Sequence, residues 1–232
     1  MQNMEINVKK RNGRLEKFEV DKINASALRA CEDIKDVSPS EIVLDAQLQL
    51  FDKITTKEID QALILSAREK IEKEPNYSLA AAQLLLNCLY KEVFKEGVDS
   101  DTFKLQYRKS FIQNTKKLVK ENKLDKRMLD FDLSKLSEEL KIRRDKDFKY
   151  LGVQVLYDRY FIRLDGKIME APQSFWMRVA MGLSINEENK NEKAIEFYNL
   201  FSQFLYTPST PTLFNSGTTH SQLSSCYLNT FD

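Results

Sequence analysis

From Asp21 to Leu205 most apolar residues recur at the three- and four-residue spacing of helix faces, in one segment after another. The sharpest case is Thr55-Thr56-Lys57-Glu58, a capping-box pattern with Thr55 as cap and Glu58 reaching back. Ile59, Leu63, Ile64 and Ala67 follow it on one stripe. A chain patterned this way must bury helix faces, so the fold class is α+β, mainly α. Its 6 glycines and 5 prolines among 232 residues are too few for long flexible linkers or a glycine-rich all-β fold. The length allows two ordinary domains.

The departures from helical spacing are short. Ile6-Asn7-Val8-Lys9-Lys10 alternates, Asn12-Gly13 is a turn pair in which both positions tolerate positive φ, and Leu15 to Phe18 returns as a second strand. Asp21 stands where an N-cap belongs, before Ile23, Ala27, Leu28 and Cys31. Ser38 or Ser40 caps a helix carrying Ile42, Leu44, Ala46 and Leu50, and the capping-box helix comes next. Asn76 precedes a very apolar helix, Leu79 to Phe94, with Gly97 as its stop. Residues 4–97 thus form one unit, a hairpin plus four helices.

Residues 98–205 predict a helical domain. Phe103 to Leu118 is one helix, Glu121 to Arg144 is charged and without clear pattern, and Tyr150 to Tyr157 is a short apolar helix. Phe161 to Met169 predicts a hairpin turning at Asp165-Gly166. Ala171-Pro172-Gln173 starts a helix through Trp176, Val179 and Leu183. Asn186-Glu187-Glu188 opens another with Ala194, Phe197, Leu200, Phe201 and Leu205 on one face. The character changes at Tyr206. Thr207 to Thr212 is stiff and turn-rich, Asn215 to Thr219 is a loop, and Leu223 to Leu228 suits a buried strand.

Charge excludes some functions. With 36 basic and 35 acidic residues the net charge is +1, without the basic excess of a nucleic-acid binder. The run Lys141-Ile142-Arg143-Arg144-Asp145-Lys146-Asp147 is basic but broken by acids, and predicts a solvated helix end. No apolar stretch approaches membrane length, and the first residues lack a signal peptide's regions. Cys31, Cys88 and Cys226 form neither a disulfide framework nor a CxxC pair, which makes the cytosol the default compartment. Cys31 and Cys88 lie on apolar helix faces and belong to the core. His220, the only histidine, is a loop residue, and Phe175 and Trp176 fit helix packing.

Two segments invite chemistry. Lys9, Lys10, Arg11, Arg14, Lys17 and Lys22 cluster on the hairpin and first helix, where positive charge and turn N–H groups suit phosphate. On pattern alone this is a solvated hairpin surface, and no GxxxxGK[ST] loop is present. Cys226, on pattern alone, is a buried structural thiol in an apolar strand.

Resemblance changes both readings. Val8-Lys9-Lys10-Arg11-Asn12-Gly13-Arg14-Leu15-Glu16-Lys17-Phe18, then Asp21-Lys22-Ile23, resembles the opening of an ATP-cone, the regulatory nucleotide-binding domain at the front of many ribonucleotide reductases. Ile54-Thr55-Thr56-Lys57-Glu58-Ile59 and the apolar helix near Lys91 resemble its later parts. The family's ATP or dATP contacts then fall on Lys10, on Glu16, Lys17, Phe18, Glu19, Val20, Asp21 and Lys22, on Thr56 and on Lys91. Glu92 stands where the family carries a lysine, and a carboxylate there opposes a phosphate contact. Thr210-Pro211-Thr212-Leu213-Phe214-Asn215-Ser216-Gly217-Thr218, then Gln222-Leu223-Ser224-Ser225-Cys226-Tyr227-Leu228, resembles the first strand region of the reductase's ten-stranded α/β barrel. The whole is similar to the N-terminal part of class I ribonucleoside-diphosphate reductase large (alpha) subunits.

That resemblance implies an oxidoreductase that converts ribonucleoside diphosphates to deoxyribonucleoside diphosphates for DNA synthesis, with a disulfide as its oxidised product. Cys226 matches one of two electron-donating thiols, and Thr210 and Ser225, with Cys226, match substrate-binding positions. ATP and dATP are the implied effectors. No metal is expected in this chain, since the radical cofactor belongs to a small (beta) subunit. The implied partners are that subunit, a C-terminal part of the large subunit, the ribonucleoside diphosphate substrate and a reductant of thioredoxin or glutaredoxin type. Neither membrane nor nucleic acid is among them, and the location is cytoplasmic. Residues 206–232 are too few for the barrel, so the chain is expected to need a C-terminal piece and to be inactive alone, whether through a split gene, an interrupting element or a truncated frame. A non-catalytic nucleotide-sensing module and a non-functional truncation are the competing readings. Ser224-Ser225-Cys226 argues against a pure sensor.

Overall fold

In the computed structural model, which describes residues 6–94 and 102–228, the N-terminal hairpin forms where alternation places it. β1 (Asn7–Lys9) pairs antiparallel with β2 (Leu15–Lys17), Val8 opposite Glu16. Gly13 closes the turn at φ 83°. Asn12, which tolerates a positive φ, does not adopt one. Its side-chain oxygen accepts from Arg14 N at 3.1 Å, a local bond that serves the same turn. Met4, Gly97 and Asn229 to Asp232 lie outside the described residues.

The hairpin belongs to the first of two compact units, built from the chain up to Cys88 together with Lys146–Val155. α1 (Val20–Ala30) starts after Glu19 without a side-chain cap, so Asp21 is not the N-cap. It lies in the first turn, where its charge still favours the helix N-terminus. α2 (Pro39–Gln47) is capped by Ser38, whose Oγ accepts from Glu41 N at 3.3 Å. It buries Ile42, Val43 and Ala46 but exposes Leu44, and Leu50 lies past its end. The expected stripe fails at Leu44 because a residue two positions along a helix sits on the opposite face.

A third strand, β3 (Ile54–Thr55), was not expected. It runs parallel to β1, with Lys9 opposite Thr55, giving the sheet order β2-β1-β3. Two residues are too few for alternation to show. Asp52 ties the connection to β1, its Oδ1 accepting from Asn7 N and Nδ2 at 2.9 and 3.0 Å. α3 (Thr56–Glu69) carries the complete capping box. Thr55 Oγ1 accepts from Glu58 N at 3.2 Å, and Glu58 Oε2 accepts from Thr55 N at 2.8 Å. Ile59, Leu63, Ile64 and Ala67 are buried as expected, and α4 (Tyr77–Phe94) adds Ala80, Ala81, Leu84 and Leu86 to the buried residues. Cys31 is buried and Cys88 half-buried.

The second unit runs from Leu89 to Asp145 and onward from Leu156. α5 (Phe103–Lys120) is followed by a 3-10 turn at Lys126–Asp130 and by α6 (Leu133–Glu139), capped by Asp132. The run expected as a solvated helix end is a second 3-10 turn, Ile142–Asp147, and Asp145 within it is buried. α7 (Tyr150–Val155), part of the first unit, continues into a π turn, Leu156–Tyr160, with Phe161 N donating to Leu156 O at 3.0 Å. β4 (Arg163–Leu164) and β5 (Lys167–Ile168) form the expected hairpin. Its two turn residues, Asp165 and Gly166, take φ 49° and 76°, the positive pair that a two-residue turn needs.

α8 (Pro172–Leu183) is apolar nearly all round and is buried accordingly, Phe175 and Trp176 included. α9 (Lys190–Ser202) begins after Asn189 rather than at Asn186. Ala194, Tyr198 and Phe201 make its buried face. Leu200 is exposed on the far side of Tyr198, and Leu205 is exposed beyond the helix end. α10 (Thr210–Asn215) forms in the stretch expected to be stiff and turn-rich. Pro211 fits its first turn because no helical N–H bond is lost there. Leu223 to Leu228 is not the buried strand expected. Ser224 to Leu228 is exposed and irregular, and among the described residues no strand pairs with it. A strand exists only through its neighbours' hydrogen bonds. No helix among the described residues is long and apolar enough to cross a membrane.

Candidate functional site

The residues of the first unit that are assigned to nucleotide gather around the β1–β2 hairpin. Lys10 leaves β1, Glu16 and Lys17 are in β2, Phe18 and Glu19 connect to α1, and Val20, Asp21 and Lys22 form its first turn. Because Lys9 pairs with Thr55, the next residues on the two strands, Lys10 and Thr56, leave the sheet at the same end. Two ammonium groups converge on one carboxylate. Lys10 Nζ lies 3.6 Å and Lys22 Nζ 4.0 Å from Glu16 Oε2, and Lys22 also donates to Glu19 Oε1 at 2.9 Å. The Glu19 hydrogen bond, assisted by the charges of Glu19 and Glu16, raises the Lys22 pKa and keeps the group cationic. Arg11, on the turn, reaches Asp60 instead at 3.9 Å. Lys91 is half-buried in the last turn of α4 and belongs to the second unit. Beside it, Glu92 accepts from Tyr157 Oη at 3.0 and 3.1 Å, one distance to each oxygen.

The second candidate segment is held from beneath. Arg178, inside α8, donates through Nε to Glu170 Oε1 at 2.6 Å, and both side chains are buried. Its Nη1 and Nη2 donate to Ser216 O and Leu213 O at 2.8 and 3.3 Å, satisfying carbonyls at the end of α10 that the helix leaves open. Glu170 is fixed in turn by Ile162 N at 2.8 Å. Gly182 lets the loop approach, since a Cβ there would lie 2.1 Å from Gly217 N. Ser216 Oγ donates to Val179 O at 2.7 Å, and Asp125 N donates to Gly217 O at 3.0 Å.

From this base, Thr212 Oγ1 donates to Leu223 O at 3.1 Å and Asn215 Nδ2 to Gln222 O at 2.7 Å, which ties Gln222 and Leu223 to α10. Thr210 is exposed, its Oγ1 3.2 Å from Tyr160 Oη. Ser225 and Cys226 are exposed, with Oγ and Sγ 4.0 Å apart. No hydrogen bond joins Thr210 to either among the described residues. His220 is an exposed loop residue. Sequence reasoning missed Glu170, Arg178 and Gly182. The available signal was Arg178 itself, a lone charge in an otherwise apolar helix, which must find a buried partner. Among the described residues no group of three or more His, Cys, Asp or Glu is placed to hold a metal ion.

Two family models match the chain, one over the first segment and one over the start of the second. A model of the ATP cone domain matches residues 6–92, and one of the ribonucleotide reductase all-alpha domain matches residues 146–221. A ribonucleoside-diphosphate reductase subunit alpha of Chlamydia pneumoniae is 46% identical over 206 residues, 87% of this chain. The chain belongs to the ribonucleotide reductase family. A subunit alpha of Helicobacter pylori (strain ATCC 700392 / 26695) is 40% identical over 225 residues, 96% of this chain, and a large chain of Schizosaccharomyces pombe is 36% identical over 226 residues, 95% of this chain. These matches span 19%, 28% and 27% of the relatives' own lengths, so the chain corresponds to the N-terminal region of much longer family members.

Proposed function

We propose that the chain is the regulatory and substrate-entry portion of a ribonucleoside-diphosphate reductase large subunit. In this reading residues 4–97 are the nucleotide-responsive domain, 98–205 the helical domain and 206–232 the start of the catalytic α/β barrel. The observation that carries it is the convergence of Lys10 and Lys22 on Glu16, inside the stretch matched by the ATP cone model. Two lysines held together suit the phosphates of ATP or dATP better than one carboxylate does. Phe18 and the exposed Val20 give apolar surface beside them for a base, and Thr56 a hydroxyl. Lys91 is assigned to the same nucleotide by resemblance. Glu92 is occupied by Tyr157 and serves packing.

Reduction of a ribose 2′-hydroxyl to water needs two electrons, which two thiols supply by closing to a disulfide. Cys226 is one of these thiols, and its exposure leaves it accessible to substrate and to a thioredoxin- or glutaredoxin-type reductant. Its partner thiol, the remaining strands and the contact with a radical-generating small subunit are assigned to a C-terminal part of the large subunit. Thr210 and Ser225 hold the substrate. Calorimetry with dATP and with ATP tests the regulatory half. Saturable binding is expected, weakened about tenfold or more by Lys10→Gln with Lys22→Gln, and a flat titration at millimolar dATP sinks it. For the catalytic half, Cys226→Ser in the chain assembled with a C-terminal part of the large subunit abolishes deoxynucleotide formation while nucleotide binding persists. Turnover by residues 1–232 with only a small subunit and reductant would contradict the proposal.

A further inference from the structure

The basic run that the reductase reading does not use forms one side of a pocket. The 3-10 turn at Ile142–Asp147 turns Asp145 inward, so the acid inside the run leaves the surface, while Asp147 at its end stays exposed. Lys141, Arg143 and Arg144 then face a cavity of about 420 Å³ that Lys104 and Arg108 of α5 also line. A cavity of this size suits a small molecule. Leu140 and Ile142 supply its apolar wall.

Its positive charge is poorly balanced. Among the described residues, Lys141 is the one pocket cation paired with a carboxylate, Glu139 at 3.1 Å. Arg144 donates to the neutral Asn199 and Ser202 at 2.9 and 2.5 Å and lies over the Tyr198 ring. Arg108 donates to the carbonyl of Glu138 at 3.2 Å, and its solvent-shielded Nε has no acceptor. Lys104 and Arg143, both exposed, form no ion pair among the described residues. Five cations held together at such a site call for a polyvalent anion. Guanidinium forks match phosphate oxygens in pairs. One phosphate monoester carries only about two negative charges, so a chain of two or three phosphates balances the pocket better.

We propose that this pocket binds a di- or triphosphate group, at a site separate from the hairpin residues assigned to ATP or dATP. Inorganic pyrophosphate is the probe, titrated by calorimetry into the full chain, into Lys104→Gln with Arg143→Gln, and into Lys10→Gln with Lys22→Gln. Binding to the wild-type chain is expected, weakened about tenfold or more in the first variant and retained in the second. The charge reversal Arg143→Glu repeats the test, and unchanged melting temperatures show that the variants are folded. Absence of binding at millimolar pyrophosphate overturns the proposal, as does equal binding by the wild type and the Lys104/Arg143 variant. ADP in the Lys10/Lys22 background then identifies the source. Tighter binding of ADP than of pyrophosphate assigns the pocket to a nucleotide, and equal binding assigns it to a free polyphosphate. Both outcomes uphold the site, and neither bears on the hairpin.

Discussion

Cys31 and Cys226 carry the same thiol in opposite surroundings. Burial in the first unit pushes the Cys31 thiol up to about 11, so it stays protonated and unreactive near neutral pH. Cys226 lies on the exposed segment after α10. Brief iodoacetamide treatment of the native chain should therefore label Cys226 and leave Cys31 unmodified until denaturant is added, as peptide mass spectrometry reads directly. Equal labelling of the two would contradict the assigned environments. The role proposed for Cys226 rests on resemblance in the residues flanking it, and its exposure was not legible there. The apolar residues around it predict a buried strand, and no pairing partner is present among the described residues to make one. Arg178 shows the converse. Its burial follows from its helix, but its tie to Glu170 and to the α10 carbonyls depends on how distant segments pack.

At the scale of elements, local signals held where they are closed within a few residues. The Thr55–Glu58 capping box and the Asp165-Gly166 turn formed as read, because each pattern contains its own hydrogen-bond partner or its own required φ. Hydrogen bonds from the Thr55 backbone and side chain hold the Glu58 carboxyl below its ordinary 4.5. The folded-state pKa is depressed, so the stabilisation is present above 4.5 and is lost as pH falls through the folded value. Glu58→Gln should lower the unfolding midpoint near neutrality, with the difference from wild type shrinking in acid. A difference that grows on acidification contradicts this sign. Gly182 is the opposite case, since nothing local demands a glycine in the middle of an apolar sequence. The demand comes from Ser216 and Gly217, against whose backbone α8 lies. Gly182→Ala should displace that loop and destabilise the second unit by about 1–3 kcal/mol. Faster proteolysis after α10 is the accompanying sign, and an unchanged unfolding midpoint would refute the close approach.

Across the whole molecule, the largest departure from the sequence reading is Asp145. Tyr90 and Tyr107 donate to its Oδ2 at 2.5 and 3.1 Å, and Gln173 Nε2 donates to Oδ1 at 2.7 Å. Gln173 N donates to Tyr107 Oη at 2.9 Å, and Tyr198 Oη donates to Gln173 Oε1 at 2.6 Å while accepting from Lys141 N at 2.7 Å. The network joins α4, α5, α8, α9 and the 3-10 turn within the second unit. Burial pushes the Tyr90 and Tyr107 phenols well up and Tyr198 to about 12, so all three remain donors across the physiological range. Tyr107→Phe removes one bond to Asp145 and strands Gln173 N, which should cost about 1–3 kcal/mol in denaturant unfolding. A midpoint within error of wild type would show the network to be dispensable. The sequence by itself determined the helical class, the hairpins, the caps and the residues that place the chain in its family, because periodicity, turn chemistry and motif are local properties. Only the tertiary structure decided which charges turn inward, which glycine must be a glycine and which apolar run stays uncovered. Burial and hydrogen bonding depend on segments that meet in space after tens of residues of intervening chain.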